Sequence, residues 1–260
     1  MPSQDPERSA SSRRAFVKTS TAAAAVGLLG ACGGAKPVAE AVTQAVSDSL
    51  TPLTLGALTQ EARDALTPDQ IIAKLKEGNT RFREGRKISR DFLAEQRATA
   101  TGQYPAAVFL SCIDSRAPSE VLFNLGLGDV FNCRLAGNVQ NPDILGSMEF
   151  TTKLAGAKLI LVIGHSACGA VAGAIANAEL GNLTQLLAKV RPAIQATTFD
   201  GEKSASNPAY VDAVARKNVE LTMADIRKGS AVIAELEKAG AVKIAGAFYD
   251  ISTGAVEFLA

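Results

Sequence analysis

A single histidine, His165, stands in 260 residues, and there is no tryptophan. Four cysteines are present, Cys32, Cys112, Cys133 and Cys168, and no two of them make a Cys-x-x-Cys pair. Dithiol redox chemistry therefore has no seat. A serine triad needs a histidine as general base, free to approach the serine from another part of the chain, and the one histidine lies next to Ser166 in sequence. An excess of one charge is lacking too: the formal net charge is +1, with acids and bases interspersed. No basic stripe marks a nucleic-acid surface, so no nucleic-acid partner is expected. The cysteines are widely separated, and a domain of this size does not need disulfide staples.

At the start of the chain, Ser12-Arg13-Arg14-Ala15-Phe16-Val17-Lys18 precedes a small apolar run from Ala22 to Ala31. That run is too short for a stable membrane-spanning helix. Basic, apolar, then small residues is the order of a signal peptide. The paired arginines resemble a bacterial twin-arginine (Tat) address. Leu29-Gly30-Ala31-Cys32 resembles a lipobox, whose cysteine is lipidated and becomes the mature N-terminus; a signal cleaved nearby without lipid is the alternative. Residues 1–31 are thus expected to be a lipoprotein signal peptide and Cys32 a lipid anchor, with the domain exported to the periplasmic or cell-surface side of a bacterial membrane. Residues 32–65, rich in Ala, Thr, Ser and Gly, read as a flexible tether.

From residue 66 to 260 the pattern is that of one folded domain. Hydrophobic residues make up 47% of the chain, which suits a globular α/β protein. Thr67-Pro68 caps a helix expected to run through Asn79, with Ile71, Ile72 and Leu75 at helical spacing. A second amphipathic helix is expected over Asp91–Ala98. Strands are expected at Ala106–Leu110, Asp129–Cys133, Lys158–Ile163, Val242–Tyr249 and Val256–Leu259. Helices are expected at Gly146–Leu154, Gly169–Ala178 and Asn218–Lys238, the last interrupted near Gly229. Alternating strands and helices predict a mainly parallel central sheet flanked by helices on both faces.

Ligands of such sheets bind beyond the carboxyl ends of the strands. One predicted strand runs into Cys112-Ile113-Asp114-Ser115-Arg116, another into His165-Ser166-Ala167-Cys168-Gly169. Cys112, His165 and Cys168 form a Cys2His set. Zinc takes thiolate and imidazole, and three protein ligands leave the open position of a catalytic site. The alternative is three unrelated residues, the cysteines buried as small hydrophobes.

These two motifs resemble those of the β-class carbonic anhydrases, the plant-like type. Supporting segments are Gly78-Asn79-Thr80-Arg81-Phe82, Arg134-Leu135-Ala136-Gly137-Asn138 and Gly146-Ser147-Met148-Glu149-Phe150, so the resemblance spans about Leu66 to Phe258. It implies one zinc ion per subunit on Cys112, His165 and Cys168, and reversible hydration of CO2 to bicarbonate and a proton by attack of zinc-bound hydroxide. Asp114 would accept the hydroxide's hydrogen bond, and Arg116 would hold Asp114 off the metal. Gln103 would reach the substrate from the neighbouring subunit. Phe131, Ala136 and Phe150 match apolar pocket positions, with Phe150 where relatives often carry tyrosine. Cys133 reads as a buried thiol outside the ligand set. The resemblance further implies a homodimer or larger assembly, the N-terminal helices around Ile71 and Phe92 wrapping the partner.

Three rival readings remain. Gly164-His165-Ser166-Ala167-Cys168 partly resembles a nucleophile elbow, but Cys168 replaces its last glycine. Some relatives hydrolyse carbonyl sulfide or carbon disulfide at the same kind of site. A non-catalytic zinc- or bicarbonate-binding lipoprotein is the third, and intact Asp114 and Arg116 argue against it. The allosteric bicarbonate site of some bacterial relatives uses a tryptophan, which this chain lacks.

Overall fold

The computed structural model describes residues 56–259. The paired arginines, the apolar run, Cys32 and the tether up to residue 55 lie outside the described residues.

Five strands form one sheet: β1 (Ala107–Ser111), β2 (Val130–Arg134), β3 (Leu159–His165), β4 (Lys243–Tyr249) and β5 (Val256–Leu259). Their spatial order is β2-β1-β3-β4-β5; the first four run parallel, and β5 returns antiparallel along β4. All residues of β1 and β3 are buried. Their sequences, Ala-Val-Phe-Leu-Ser and Leu-Ile-Leu-Val-Ile-Gly-His, are near-continuous apolar runs because helices cover both faces. Leu159, Leu161 and Ile163 pack with Ile71, Leu75, Phe109 and Phe123. Ile160 and Val162 pack on the other face with Met148, Val219, Ile226 and Ile233.

Helix α1 (Gln60–Ala65) starts inside the stretch read as tether, with Thr59 as its cap. Leu58 is already part of the core, so the fold begins before residue 66. A six-residue helix is too short to show a period; what anchors it is tertiary, the buried Arg63 guanidinium donating to the Ala155 carbonyl. Helix α2 (Pro68–Arg83) has the expected capping box, Thr67 with Gln70, and runs four residues past Asn79. Ile71 is fully buried in its own subunit's core. Gly78 lies against the Phe123 carbonyl with no room for a Cβ. Asn79 donates to the carbonyls of Leu122 (3.1 Å) and Gly254 (2.9 Å) and accepts from Val256 N–H (2.9 Å), tying α2 to the last strand.

Helix α3 (Phe92–Thr99) matches its expectation and leaves Phe92 and Leu93 exposed. The short α4 (Ser119–Leu122) links β1 to β2. Helix α5 (Pro142–Glu149) continues as a π-helical turn over Phe150–Leu154, where Thr151 and Thr152 hydroxyls both donate to the Met148 carbonyl. After β3 come α6 (Gly169–Ile175), α7 (Gly181–Ala188), α8 (Arg191–Ala196), α9 (Pro208–Gly229) and α10 (Ala231–Lys238). Helix α9 starts ten residues before Asn218, capped by Asn207 with proline in the first turn. It lies close on the sheet: a Cβ at Gly164 or Gly246 would come within 2.6 or 2.9 Å of the Val219 methyls. Glycine on both central strands thus sets how near the helix sits.

Candidate active site and metal centre

The order β2-β1-β3 makes the carboxyl ends of β1 and β3 the switch point of the sheet, since the chain leaves β1 toward one edge and continues from β3 toward the other. Ser111 pairs with Ile163, so Cys112 leaves β1 beside the end of β3, where His165 is the last strand residue. Cys168 stands at the start of α6, returned by a tight turn in which Ala167 adopts a φ of +52°. The two thiols and a ring nitrogen of His165 lie within 4.8 Å of one another, and all three residues are buried.

The imidazole is oriented. Its Nδ1 is 2.9 Å from the Ser166 carbonyl, which can only accept, so Nδ1 carries the hydrogen. Nε2 is then bare. It is buried and has no hydrogen-bond partner, an arrangement that costs stability unless something fills it. Two soft sulfurs and a bare imidazole nitrogen, clustered and buried, fit a zinc ion. The thiols share charge unequally. Cys112 is pulled down, first by a hydrogen bond from Cys168 and further by the N–H of Gly137, against the opposing effect of burial. Cys168 is pushed up by that shared hydrogen bond, by burial and by the neighbouring negative charge.

Asp114 sits at the rim. Its Oδ1 accepts from Arg116 N–H (2.9 Å) and Nε (3.0 Å), and its Oδ2 from Arg116 Nη2 (2.8 Å). The Asp114 Oδ2 lies 4.0 Å from His165 Nε2. The Arg116 hydrogen bonds hold the Asp114 carboxyl at about 2. The carboxylate is therefore an ionised acceptor, turned to its arginine and poised beside the ligand trio.

The sequence profile of the carbonic anhydrase family matches residues 107–256. The chain is 36% identical over 186 residues to carbonic anhydrase 2 of Mycobacterium tuberculosis, covering 69% of this chain and 87% of that protein. The chain belongs to the carbonic anhydrase family. Its fold is that of the β class. The Coccomyxa β-carbonic anhydrase, solved with acetazolamide, superimposes with a TM-score of 0.57 at 27% identity over 63% of this chain and 75% of that one. One of the tetrameric β-carbonic anhydrases of Sordaria macrospora gives 0.55 at 26%, over 63% and 84%.

Other residues expected in this carbonic anhydrase site are placed unevenly. Ala136 is half-buried beside the trio, next to Gly137, whose N–H donates to Cys112 Sγ at 3.4 Å. Phe131 pairs in register with Val108, four residues before Cys112, which is about 13 Å back along the strand. It meets Phe150 edge to face, ring centroids 6.5 Å apart. The two line a cleft of about 690 Å³ with half-buried Cys133, and the chain does not bring them to the trio. Gln103 is exposed and precedes β1, whereas Cys112 follows it, so the strand separates them. Residues without an assigned role complete the site. Arg134 donates to the carbonyls of Cys112 (2.9 Å) and Asp114 (2.5 Å). Asp212 on α9 accepts from Ala167 N–H (3.0 Å). Asn218 donates to the Gly137 carbonyl (2.7 Å). Arg134 and Gly137 fall in a segment that supported the resemblance; Asp212 and Asn218 had no sequence signal.

Proposed function

We propose that this chain hydrates CO2 reversibly to bicarbonate and a proton at a zinc ion held by Cys112 Sγ, His165 Nε2 and Cys168 Sγ. The observation that carries the reading is the buried, partnerless Nε2 among two thiols, with an arginine-held carboxylate 4.0 Å away. When bound, zinc is a Lewis acid that brings the pKa of a water down to about 7. The residues do the rest. Asp114, ionised and unable to donate, accepts a hydrogen bond from the attacking water and so turns a lone pair toward the carbon of CO2. Arg116 engages both carboxylate oxygens and keeps Asp114 from collapsing onto the ligands. The Nδ1 hydrogen bond to Ser166 fixes the tautomer that exposes Nε2. Ala136 gives an apolar wall suited to an uncharged substrate.

Gln103 serves only from a second copy, so the active species is a homodimer or larger; the tetrameric Sordaria relatives support an assembly. Exposed Phe92 and Leu93 offer it an apolar contact. The paired arginines and Leu29-Gly30-Ala31-Cys32 support export and lipid anchoring through Cys32. No helix among the described residues is long and apolar enough to cross a membrane.

The test is metal content together with stopped-flow CO2 hydration on the purified protein. One zinc per chain with rapid turnover is expected, and Cys112→Ser should lose both. Folded, zinc-loaded protein no faster than buffer would refute the activity. For the address, Arg13→Lys with Arg14→Lys should leave precursor inside the cell, and Cys32→Ser should release active enzyme from the membrane.

A further inference from the structure

We infer that Asn218 is a positioning residue for the metal-binding thiolate of Cys112, acting through Gly137; this rests on the zinc reading above. Asn218 lies on α9, is 81 residues from Gly137 in sequence, and is 3% exposed. Around it the helix buries Val211, Val214, Ala215 and Val219. A polar side chain in such a row persists where its hydrogen bonds are made, and here Nδ2 donates to the Gly137 carbonyl at 2.7 Å. On its other side the same glycine donates its N–H to Cys112 Sγ at 3.4 Å. One residue thus takes a side-chain anchor on its C=O and gives a hydrogen bond to a ligand sulfur through its N–H.

The link is mechanical. Gly137 is in the left-handed region, φ +71° and ψ 17°, which glycine adopts without steric cost and which leaves the direction of the turn to its contacts. A Cβ there would touch Ala170 and Val190 at 3.4 Å, so the turn is wedged between α6 and the segment before α8. Packing limits translation of the turn; the Asn218 bond sets its rotation. With the carbonyl held toward α9, the N–H points at the sulfur. Without that anchor the Gly137 peptides can swing, and the N–H···S bond is the contact they lose. A hydrogen bond to a thiolate withdraws charge from the sulfur and steadies its orientation toward a metal, so outer groups of this kind govern metal retention.

The experiment uses the full chain loaded with cobalt(II), with zinc in parallel. Asn218→Asp keeps the shape and removes the donor; Asn218→Leu removes all polarity. Each variant is checked for folding by circular dichroism. In folded variants the thiolate-to-cobalt charge-transfer band should move to longer wavelength, because the sulfur lone pair rises in energy. Zinc release to a chromophoric chelator should accelerate about 10- to 100-fold. A merely structural asparagine would move the melting temperature and leave both readouts in place. A folded variant with the wild-type band and release rate overturns the inference. Should neither variant fold, cadmium-113 substitution of the wild-type chain decides it. A scalar coupling between the metal and the Gly137 amide proton, with slowed exchange of the Asn218 side-chain amide, supports the role, and absence of either overturns it. A wild-type chain with no charge-transfer band at all refutes the metal reading instead, so the two failures are distinct.

Discussion

At the scale of single residues, Asp114 is set by Arg116 more than by its depth. Its side chain is 14% exposed, that of Arg116 52%, yet three hydrogen bonds from the arginine hold the carboxyl at about 2. The sign follows: the depressed value keeps Asp114 ionised down to about pH 2, so its titration does not set the acid limit of activity. In Arg116→Ala the carboxyl moves up toward an ordinary aspartate, near 4, and is still ionised at neutrality. The loss at pH 7 is then one of orientation. With Oδ2 already 4.0 Å from His165 Nε2, the freed carboxylate turns inward and competes for the open position. We expect kcat to fall about 100-fold, the scale of a misplaced reacting group, while atomic absorption still finds one zinc per chain. Wild-type kcat in Arg116→Ala would remove the arginine from the mechanism.

Elements are locked by charges placed where solvent cannot reach. Arg90 joins α2 to α3 and bonds Glu95 (2.8 Å) and Asp129 (3.4 Å), all three side chains at most 4% exposed. The acids also accept from the N–H groups of Leu127 and Gly126, so the cluster holds the loop that feeds β2. Arg90→Met takes the cation away from two buried carboxylates and should cost about 3–5 kcal/mol in urea unfolding; a loss under about 1 kcal/mol would show that water reaches the cluster. A gentler lock joins α9 to α10, where Arg227 grips both oxygens of Glu237 at 2.7 and 2.8 Å. The Arg227 hydrogen bonds lower the Glu237 pKa. Stability from this pair is therefore full above the unfolded glutamate value and is lost as pH falls through the lower folded one. The pair is partly exposed, so Glu237→Gln should cost no more than about 1 kcal/mol at pH 7. The difference from wild type should close in melts as the pH falls through the lowered Glu237 value; a gap unchanged with pH would mean that packing, not charge, joins the helices.

For the whole molecule, Gln103 and Cys112 lie on either side of β1, so the role proposed for Gln103 requires a second copy. Sedimentation should find activity only in dimers or larger species, and an active monomer would remove Gln103 from the site. Proton export is the second matter at this scale. His165 is the one histidine, and in the proposed site its nitrogens are taken by the metal and by Ser166. Asp, Glu and Lys have reference pKa values roughly three units from neutrality. We expect kcat at saturating CO2 to rise with imidazole buffer concentration while kcat/KM stays level, since attack on CO2 precedes proton release. A kcat that is high and flat from dilute buffer upward would reveal an efficient internal carrier.

What the sequence determined by itself was whatever depends on residue type at short range. Two runs of buried aliphatic residues ending in Cys112 and His165 announced parallel strands with ligands at their carboxyl ends. The Cys-x-Asp-x-Arg motif implied the carboxylate and its holder through its resemblance to the β-class carbonic anhydrases, and a bidentate pair two residues apart needs only a short loop. Tertiary structure decided whatever depends on backbone groups meeting across long separations. Arg134 gripping two carbonyls, Asp212 on the Ala167 N–H and Asn218 on Gly137 leave no local pattern, since every residue but proline offers the same N–H and C=O. For the same reason α1 was missed, its anchor being one arginine on a carbonyl of a distant turn. Strand register alone put Phe131 and Phe150 together in a cleft set back from Cys112 within the one chain.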